Sequence, residues 1–495
     1  MNLGKLLAAV AGLLVIGCSG NSQPVDAGTD AAVSDASTID GGADGPKETG
    51  PFCGDGKRDL GELCDGTDLG GATCADMVAA GWNGTLGCNA QCVFDTTTCT
   101  TPATTYSALN ASWDTFDVAS VTAAAHGYAG GVFDGRYVYL VPHDNGQGLH
   151  GLVARYDSQA PFGSASAWTT FDVASVNAKA MGFAHGAFDG RYLYLTPSGN
   201  GYLGTIARYD TQAAFDNANS WSTLDLATLA PTAHGFGAIA FDGQYIYLIQ
   251  ERDGTQLYPP GGLVARFDTS GPFTSAGSWS FFDVTTVSQY AGYFFGSAFD
   301  GRFLYLVPDS GGAIARYDTH AAFGAASSWS TFTTSAFSTR FFGGAFDGRY
   351  VYFVPSYDAQ GAGLGVIARY DTTGTFTSST AWSTFDVSTV NASAKGYRGA
   401  VFDGRYLFFV PYYNAPNYHG FVARYDTQAP FSNGSSWNVF DLTSVNAAAI
   451  GFNGGVFDGE HVYLVPDADG ASGTVARFDA KTPAWLPKGW NASFF

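Results

Sequence analysis

The feature that most constrains this chain is that it repeats itself seven times. A Phe-Asp-Gly triplet begins at Phe133, Phe188, Phe241, Phe299, Phe346, Phe402 and Phe457. An Ala-Arg-(Tyr/Phe)-Asp element is centred on Arg155, Arg208, Arg266, Arg316, Arg369, Arg424 and Arg477. A third element opens on Trp113, Trp168, Trp221, Trp279, Trp329, Trp382 and Trp437. A unit of roughly 50 residues cannot bury its apolar surface alone, so its copies must pack against one another.

Each unit reads as four short strands. In the first, these are Tyr128 to Val132, Tyr137 to Val141, Leu152 to Tyr156 and Trp168 to Val173. They are rich in aromatic and β-branched residues and bounded by turn residues. Asp134-Gly135 is a two-residue hairpin signal. Four antiparallel strands per repeat, seven times over, resemble the blades of β-propeller repeat proteins, across about 390 residues. The pairings that mark the WD40 and kelch types are missing, so the subfamily stays open. The resemblance implies an all-β, seven-bladed propeller. Its small-residue strand would lie next to the axis and its Trp strand at the rim. Trp113 precedes the first full unit, and the unit of Arg477 lacks a full Trp strand after it. The N-terminal strand is therefore expected to complete the seventh blade, which removes an open edge. Trp485 is the competing donor of that strand, and an open solenoid the competing architecture.

Composition agrees with tight-turned β repeats: 65 Gly, 15% aromatic and only 13% charged residues, where about 25% charged is usual. The net charge of −20 argues against nucleic acid or an anionic membrane surface as a partner of the body.

The first eighteen residues read as an address. Lys5 precedes a short apolar run, Leu6 to Ile16, which is too brief to span a bilayer. Val15-Ile16-Gly17-Cys18 then resembles the bacterial lipobox, which implies cleavage before Cys18 and its acylation. Ser19 after the Cys, by the same resemblance, implies the outer membrane, with the body displayed at the cell surface. Residues 19–51 are an Asp-, Ala-, Gly- and Ser-rich acidic tether without enough apolar residues to fold. Residues 52–100 hold Cys53, Cys64, Cys74, Cys88, Cys92 and Cys99. In an exported chain these are expected to form three disulfides, of unresolved pairing. Cys53-Gly54-Asp55-Gly56 and Glu62-Leu63-Cys64-Asp65 resemble the cysteine-rich repeat of myxobacterial surface proteins, which implies extracellular exposure. The Asp residues of this module suit calcium, but Asp-Gly is also ordinary turn chemistry; no cofactor and no metal are expected. Residues 101–495 are the propeller, expected to be a monomer.

Function should lie where the repeats differ. The Phe-Asp-Gly turns are nearly identical, whereas the loops between second and third strands vary in length and chemistry. The third blade departs most: its strand-ending Pro becomes Gln250, followed by Glu251, Arg252 and Asp253, with Tyr258 beyond. The sixth is the most aromatic, with Tyr412, Tyr413 and Tyr418. These exposed loops, excepting Asp253, together with His126 and His234 between blades, are the candidate ligand contacts. Glu251 and Asp253 are the candidate catalytic acids, with Asp144, Asp309, Asp358, Asp467 and Asp469 in equivalent loops. An aromatic recurring just before each inner strand (Tyr128, Phe183, Phe236, Phe294, Phe341, Tyr397, Phe452) either packs between blades or lines a funnel mouth. The repeated Arg of the Ala-Arg-(Tyr/Phe)-Asp element is expected to pair with the Asp of the Trp strand. The leading expectation is a surface-anchored module that binds a glycan or a protein. The alternatives are a polysaccharide hydrolase or lyase, and a structural envelope protein. Too few carboxylates are placed for hydrolysis to lead.

Overall fold

A computed structural model describes residues 56–57, 64–74, 82–88, 94–95, 98–101, 103–198, 204–252, 261–309, 312–333, 340–487 and 493–494. Seven four-stranded antiparallel sheets follow one another around a ring. In the first blade the strands are Tyr128–Phe133, Tyr137–Pro142, Leu152–Asp157 and Trp168–Asp172, from axis to rim. The innermost strands of the other blades are Phe183–Phe188, Phe236–Phe241, Phe294–Phe299, Phe341–Phe346, Tyr397–Phe402 and Phe452–Phe457.

The ring closes as expected. Strand Trp113–Asp117 pairs with Thr474–Asp479, with Phe478 opposite Trp113 and Thr474 opposite Asp117. Trp485 plays a different part. Its indole lies beneath Gly404, on the Phe-Asp-Gly face, where it packs with Trp82, Leu86, Cys74 and Cys99. The disulfides Cys64–Cys88 and Cys74–Cys99 staple this small module. Cys53 and Cys92, like Cys18 and the tether, lie outside the described residues. None of the described helices is long and apolar enough to cross a membrane.

Each turn is built on its Asp. Asp134 Oδ1 accepts from the backbone N–H of Arg136 and Tyr137, and Oδ2 from the Tyr139 hydroxyl at 2.7 Å. Gly135 sits at φ +100°, open to glycine but strained for other residues. On this face Arg136 reaches Asp157 at 2.7 Å through a two-pronged contact. Arg191–Asp210, Arg302–Asp318, Arg349–Asp371 and Arg405–Asp426 repeat it at the same distance.

The repeated Arg of the other motif does not pair with the strand-ending Asp of the Trp strand as expected, although Arg477 does pair with Asp114 earlier in that strand at 2.9 Å. The strand-ending Asp instead caps a short helical turn: Asp117 accepts from Ala119 N and Asp172 from Ala174 N. Arg155 lies between two rings, 4.3 Å from Tyr137 in its own blade and 4.3 Å from Phe215 in the next. Arg208, Arg266, Arg316 and Arg369 do the same. A flat, weakly hydrated guanidinium suits such a seam.

The recurring aromatic of the inner strands packs between blades. Tyr128, Phe183, Phe236, Phe294, Phe341, Tyr397 and Phe452 are all buried, so they do not line a funnel. Small residues hold the strands close around the axis: a Cβ on Gly186 would come within 2.7 Å of Val132 Cγ2. At the axis, Ser493–Phe494 pairs with the free edge of the first inner strand, Phe494 opposite Gly131. The axial region on the loop face, where the starts of the inner strands meet the ends of the second strands, is called the cup below.

Candidate functional site

The cup is built from one position per blade. The residue after the second strand is His143, Ser198, Glu251, Asp309, Ser356, Tyr412 or Asp467. In every blade its N–H donates to the carbonyl of the residue just before the inner strand: Gly127, Gly182, Gly235, Tyr293, Arg340, Gly396 or Gly451, at 2.9–3.2 Å. The backbone is thus clamped identically seven times, while the side chain differs. A rigid scaffold bearing variable polar groups is the usual arrangement of a recognition site.

Two of the acceptor positions break the pattern as well. Five are glycine with φ between +64° and +72°. Tyr293 takes the same left-handed conformation, φ +61°, with a full side chain. That strain costs roughly 1–2 kcal/mol, and strain of this kind gathers at functional sites. Its ring lies 5.3 Å from Phe295, which lies 4.8 Å from Phe342.

Arg398, on the sixth inner strand, acts electrostatically on Glu251, Asp309, Asp467, His143 and His185 together. Its guanidinium is 3.6 Å from the Tyr412 ring centroid and 4.3 Å from that of Phe342. Its edge contacts Asp467 and the Tyr357 hydroxyl, each at 3.4 Å. Asp467 also accepts from Asn453 Nδ2 at 3.2 Å. In the third blade, Glu251 pairs with Arg252 at 2.9 Å, and Arg252 lies over Tyr293 at 5.1 Å. Gly237 makes room for Glu251: a Cβ there would meet the Glu251 Cβ at 2.7 Å.

Burial governs the protonation of these groups. It pushes Glu251 up to about 7, against the pull of Arg252. It pushes Asp309 up to about 6, opposed by Arg340 and Arg398, and Asp467 up to about 6, opposed by Arg398. Burial also lowers His143 to about 4, with Arg398 adding to the effect. His185 falls to about 3 for the same reason, with His143 and Arg398 contributing. Near neutral pH the cup therefore holds neutral imidazoles, carboxyl groups close to titration, and three guanidiniums.

The structure brings Glu251, Arg252, Asp309, Asp467 and Tyr412 together. Tyr412 is not the exposed loop residue expected; it is buried because Arg398 rests on it. Tyr413 and Tyr418 form a small hairpin beside it, rings 5.2 Å apart. His126 and His234 stay at separate seams: His126 Nδ1 is 2.6 Å from the Gly470 carbonyl, and the His234 carbonyl accepts from Gln250 Nε2. Among the described residues no cluster of three metal-ligating side chains occurs. Asp253 and Tyr258 lie outside the described residues. Sequence reasoning missed Arg398, Phe295 and Phe342. Their signal was there: they occupy the second position of an inner strand, where other blades carry Ala129, Ala184 or Gly237. On the opposite face a shallow groove runs between Asp347, Arg349, Arg369 and Phe431. These are residues common to most repeats, so the groove is not individual to one blade.

No protein-family model matches the chain, and no curated protein matches it. Among solved structures, selenomethionine-substituted virginiamycin B lyase from Staphylococcus aureus aligns at 13% identity with a TM-score of 0.48, over 74% of this chain and 98% of that one. YCF48 bound to D1 peptide aligns at 13% identity and 0.48, over 77% and 99%. PorZ, an essential bacterial surface component of the type-IX secretion system of Porphyromonas gingivalis, aligns at 13% and 0.43, over 77% of this chain and 40% of that one. Likeness at this level carries neither residues nor activity across.

Proposed function

We propose that this chain is an exported, lipid-anchored binding module that recognises an extracellular glycan through the axial cup. One observation carries the reading: seven identically clamped positions present seven side chains chosen without regard to the repeat. Structural necessity would keep those positions alike, as it keeps the turn Asp alike. Supporting features are the lipobox at Cys18, the acidic tether, and the docking of the cysteine module on the Phe-Asp-Gly face, opposite the cup.

A glycan screen of the full chain, read for both retention and product release, tests this. Retained glycan that is lost on Glu251→Gln or Phe295→Ala supports the cup as the binding site. Retention of a protein ligand alone replaces glycan with protein. A second reading, hydrolase or lyase, is favoured by Glu251 and Asp309, whose raised pKa values suit proton transfer near neutral pH. Release of shortened product without retained ligand decides for that reading.

A further inference from the structure

Tyr106 and Ser107, which lead from the cysteine module into the ring, lie in the seam between the sixth and seventh blades, on the Phe-Asp-Gly face. The Tyr106 ring meets Tyr406 edge-on at 5.3 Å, and the Arg405 guanidinium lies 5.6 Å from its centroid. The Ser107 carbonyl accepts from Arg424 Nη1 at 2.7 Å, and its N–H donates to the Ala480 carbonyl at 3.0 Å. Trp485 covers Gly404 beside them. Four residues thus hold the segment: Arg405, Tyr406 and Arg424 of the sixth blade, and Ala480 of the seventh.

The repeat places the same four positions in the seam before it. There Arg349, Tyr350 and Arg369 of the fifth blade and Thr427 of the sixth line an open groove of about 540 Å³. Ligand pockets run to roughly 300–1,000 Å³. Among the described residues nothing covers this groove: a Cβ on Gly348 would meet no atom within 4 Å. The Arg349 side chain is 59% exposed, against 33% for Arg405 beside Tyr106. The seam arginines show the same contrast. Arg369 Nη1 reaches the Tyr425 hydroxyl at 3.4 Å, where Arg424 has the Ser107 carbonyl at 2.7 Å. A charge-assisted bond is best formed at roughly 2.7–2.9 Å, so the fifth seam keeps a donor for a carbonyl oxygen. One difference limits the fit. Arg369 lies 4.2 Å from the Phe431 ring, whereas the seventh blade has Ala484 at the corresponding place in the sequence. An occupant of the fifth groove therefore ends against Phe431 and is short.

We infer that the fifth-seam groove docks a short extended segment of another protein, an aromatic residue followed by a small one, as the sixth seam holds Tyr106 and Ser107. The aromatic ring goes edge-on to Tyr350 and beside Arg349, and the next carbonyl takes the Arg369 donor. A second copy of this chain is the poorer occupant, because its own Tyr106 and Ser107 are already engaged in its sixth seam. The inference is independent of the glycan reading, since this face lies opposite the cup.

The test uses the full chain and the capped hexapeptide Ala-Thr-Thr-Tyr-Ser-Ala, the sequence of residues 103–108, as the probe. Calorimetric titration should give saturable binding at up to millimolar peptide. Tyr106→Ala in the peptide should weaken it at least about tenfold. In the protein, Ala429→Trp fills the groove and should cause a similar loss, as should Tyr350→Ala; melting checks that both variants fold. Val445→Ala, exposed between the sixth and seventh blades on the opposite face, should change nothing. A photoreactive benzoylphenylalanine in place of the peptide tyrosine should cross-link to residues 347–350 or 427–431. Cross-links confined to other seams overturn the site. So does binding that survives Ala429→Trp or the loss of the peptide tyrosine, and so does the absence of saturable binding at millimolar peptide. Self-association of the full chain that Ala429→Trp abolishes overturns the foreign partner and makes the occupant a second copy.

Discussion

Trp113 and Phe478 face each other across the last seam of the ring, paired in register with ring centroids 4.8 Å apart. One lies before the first full repeat and the other in the last, so their contact joins the two ends of the domain. Trp113→Ala should cost about 3–5 kcal/mol, as large buried truncations do, measured by denaturant unfolding. A chain starting after residue 120 would leave Thr474–Asp479 as an open edge. It should self-associate on size-exclusion chromatography, and a monodisperse, equally stable product would contradict closure by this strand.

The stapled module should be separable from the ring in stability. Cys64–Cys88 and Cys74–Cys99 lie before residue 101, and no cysteine follows. Reductant should melt the module and expose Trp82 and Trp485, which meet edge-on at 6.2 Å. The β-sheet circular dichroism of the ring should keep its melting transition. Mass mapping of the oxidised protein should place every disulfide within residues 53–99.

The seam arginines make a third prediction. Arg155→Ala removes a cation held at 4.3 Å from both Tyr137 and Phe215. A loss of about 1–2 kcal/mol is expected. Arg155→Lys should recover less than half of it, because an ammonium cannot stack on two faces. Full rescue by lysine in urea unfolding would show that charge alone matters.

Glu251 makes the ring's stability depend on pH. Burial raises its native pKa from the ordinary 4.5 to about 7. Between these values the unfolded chain has already released the proton that the native state keeps, so stability falls as pH rises from 4.5 to 7. The full effect is about 3 kcal/mol at most. Glu251→Gln should therefore gain on the native protein as pH rises through this window, and match its slope elsewhere. Parallel curves for the two proteins from pH 4.5 to 7 would refute the assignment.

Anchoring is tested at Cys18. Cys18→Ser should abolish acylation and shift the protein from the membrane fraction to the soluble one. Membrane partitioning equal to that of the native chain would show that the lipobox resemblance misleads.

Much of this was legible in the chain. Seven copies of Phe-Asp-Gly imply seven like turns, because Asp134 and its equivalents carry the whole hydrogen-bond pattern of the turn locally. The unmatched Trp113 and Arg477 announced the closure. Glu251 and Asp467 were visible as departures from the repeat. The role of the repeated arginines was not. Arg155 and Asp172 are near in sequence, but the rings that hold Arg155 are Tyr137 of its own blade and Phe215 of the next. Nor was the burial of Tyr412, since only the arrival of Arg398 from the sixth inner strand covers it.

The sequence by itself determined the repeat count, the strand pattern and the turn chemistry, because each depends on residues a few positions apart. Tertiary structure alone decided which differences between repeats matter. Ser198, Glu251, Tyr293, Phe342 and Arg398 come from different blades, and no local rule relates them. They become one site because a closed ring turns equivalent positions, about 50 residues apart in the chain, into neighbours around a single axis.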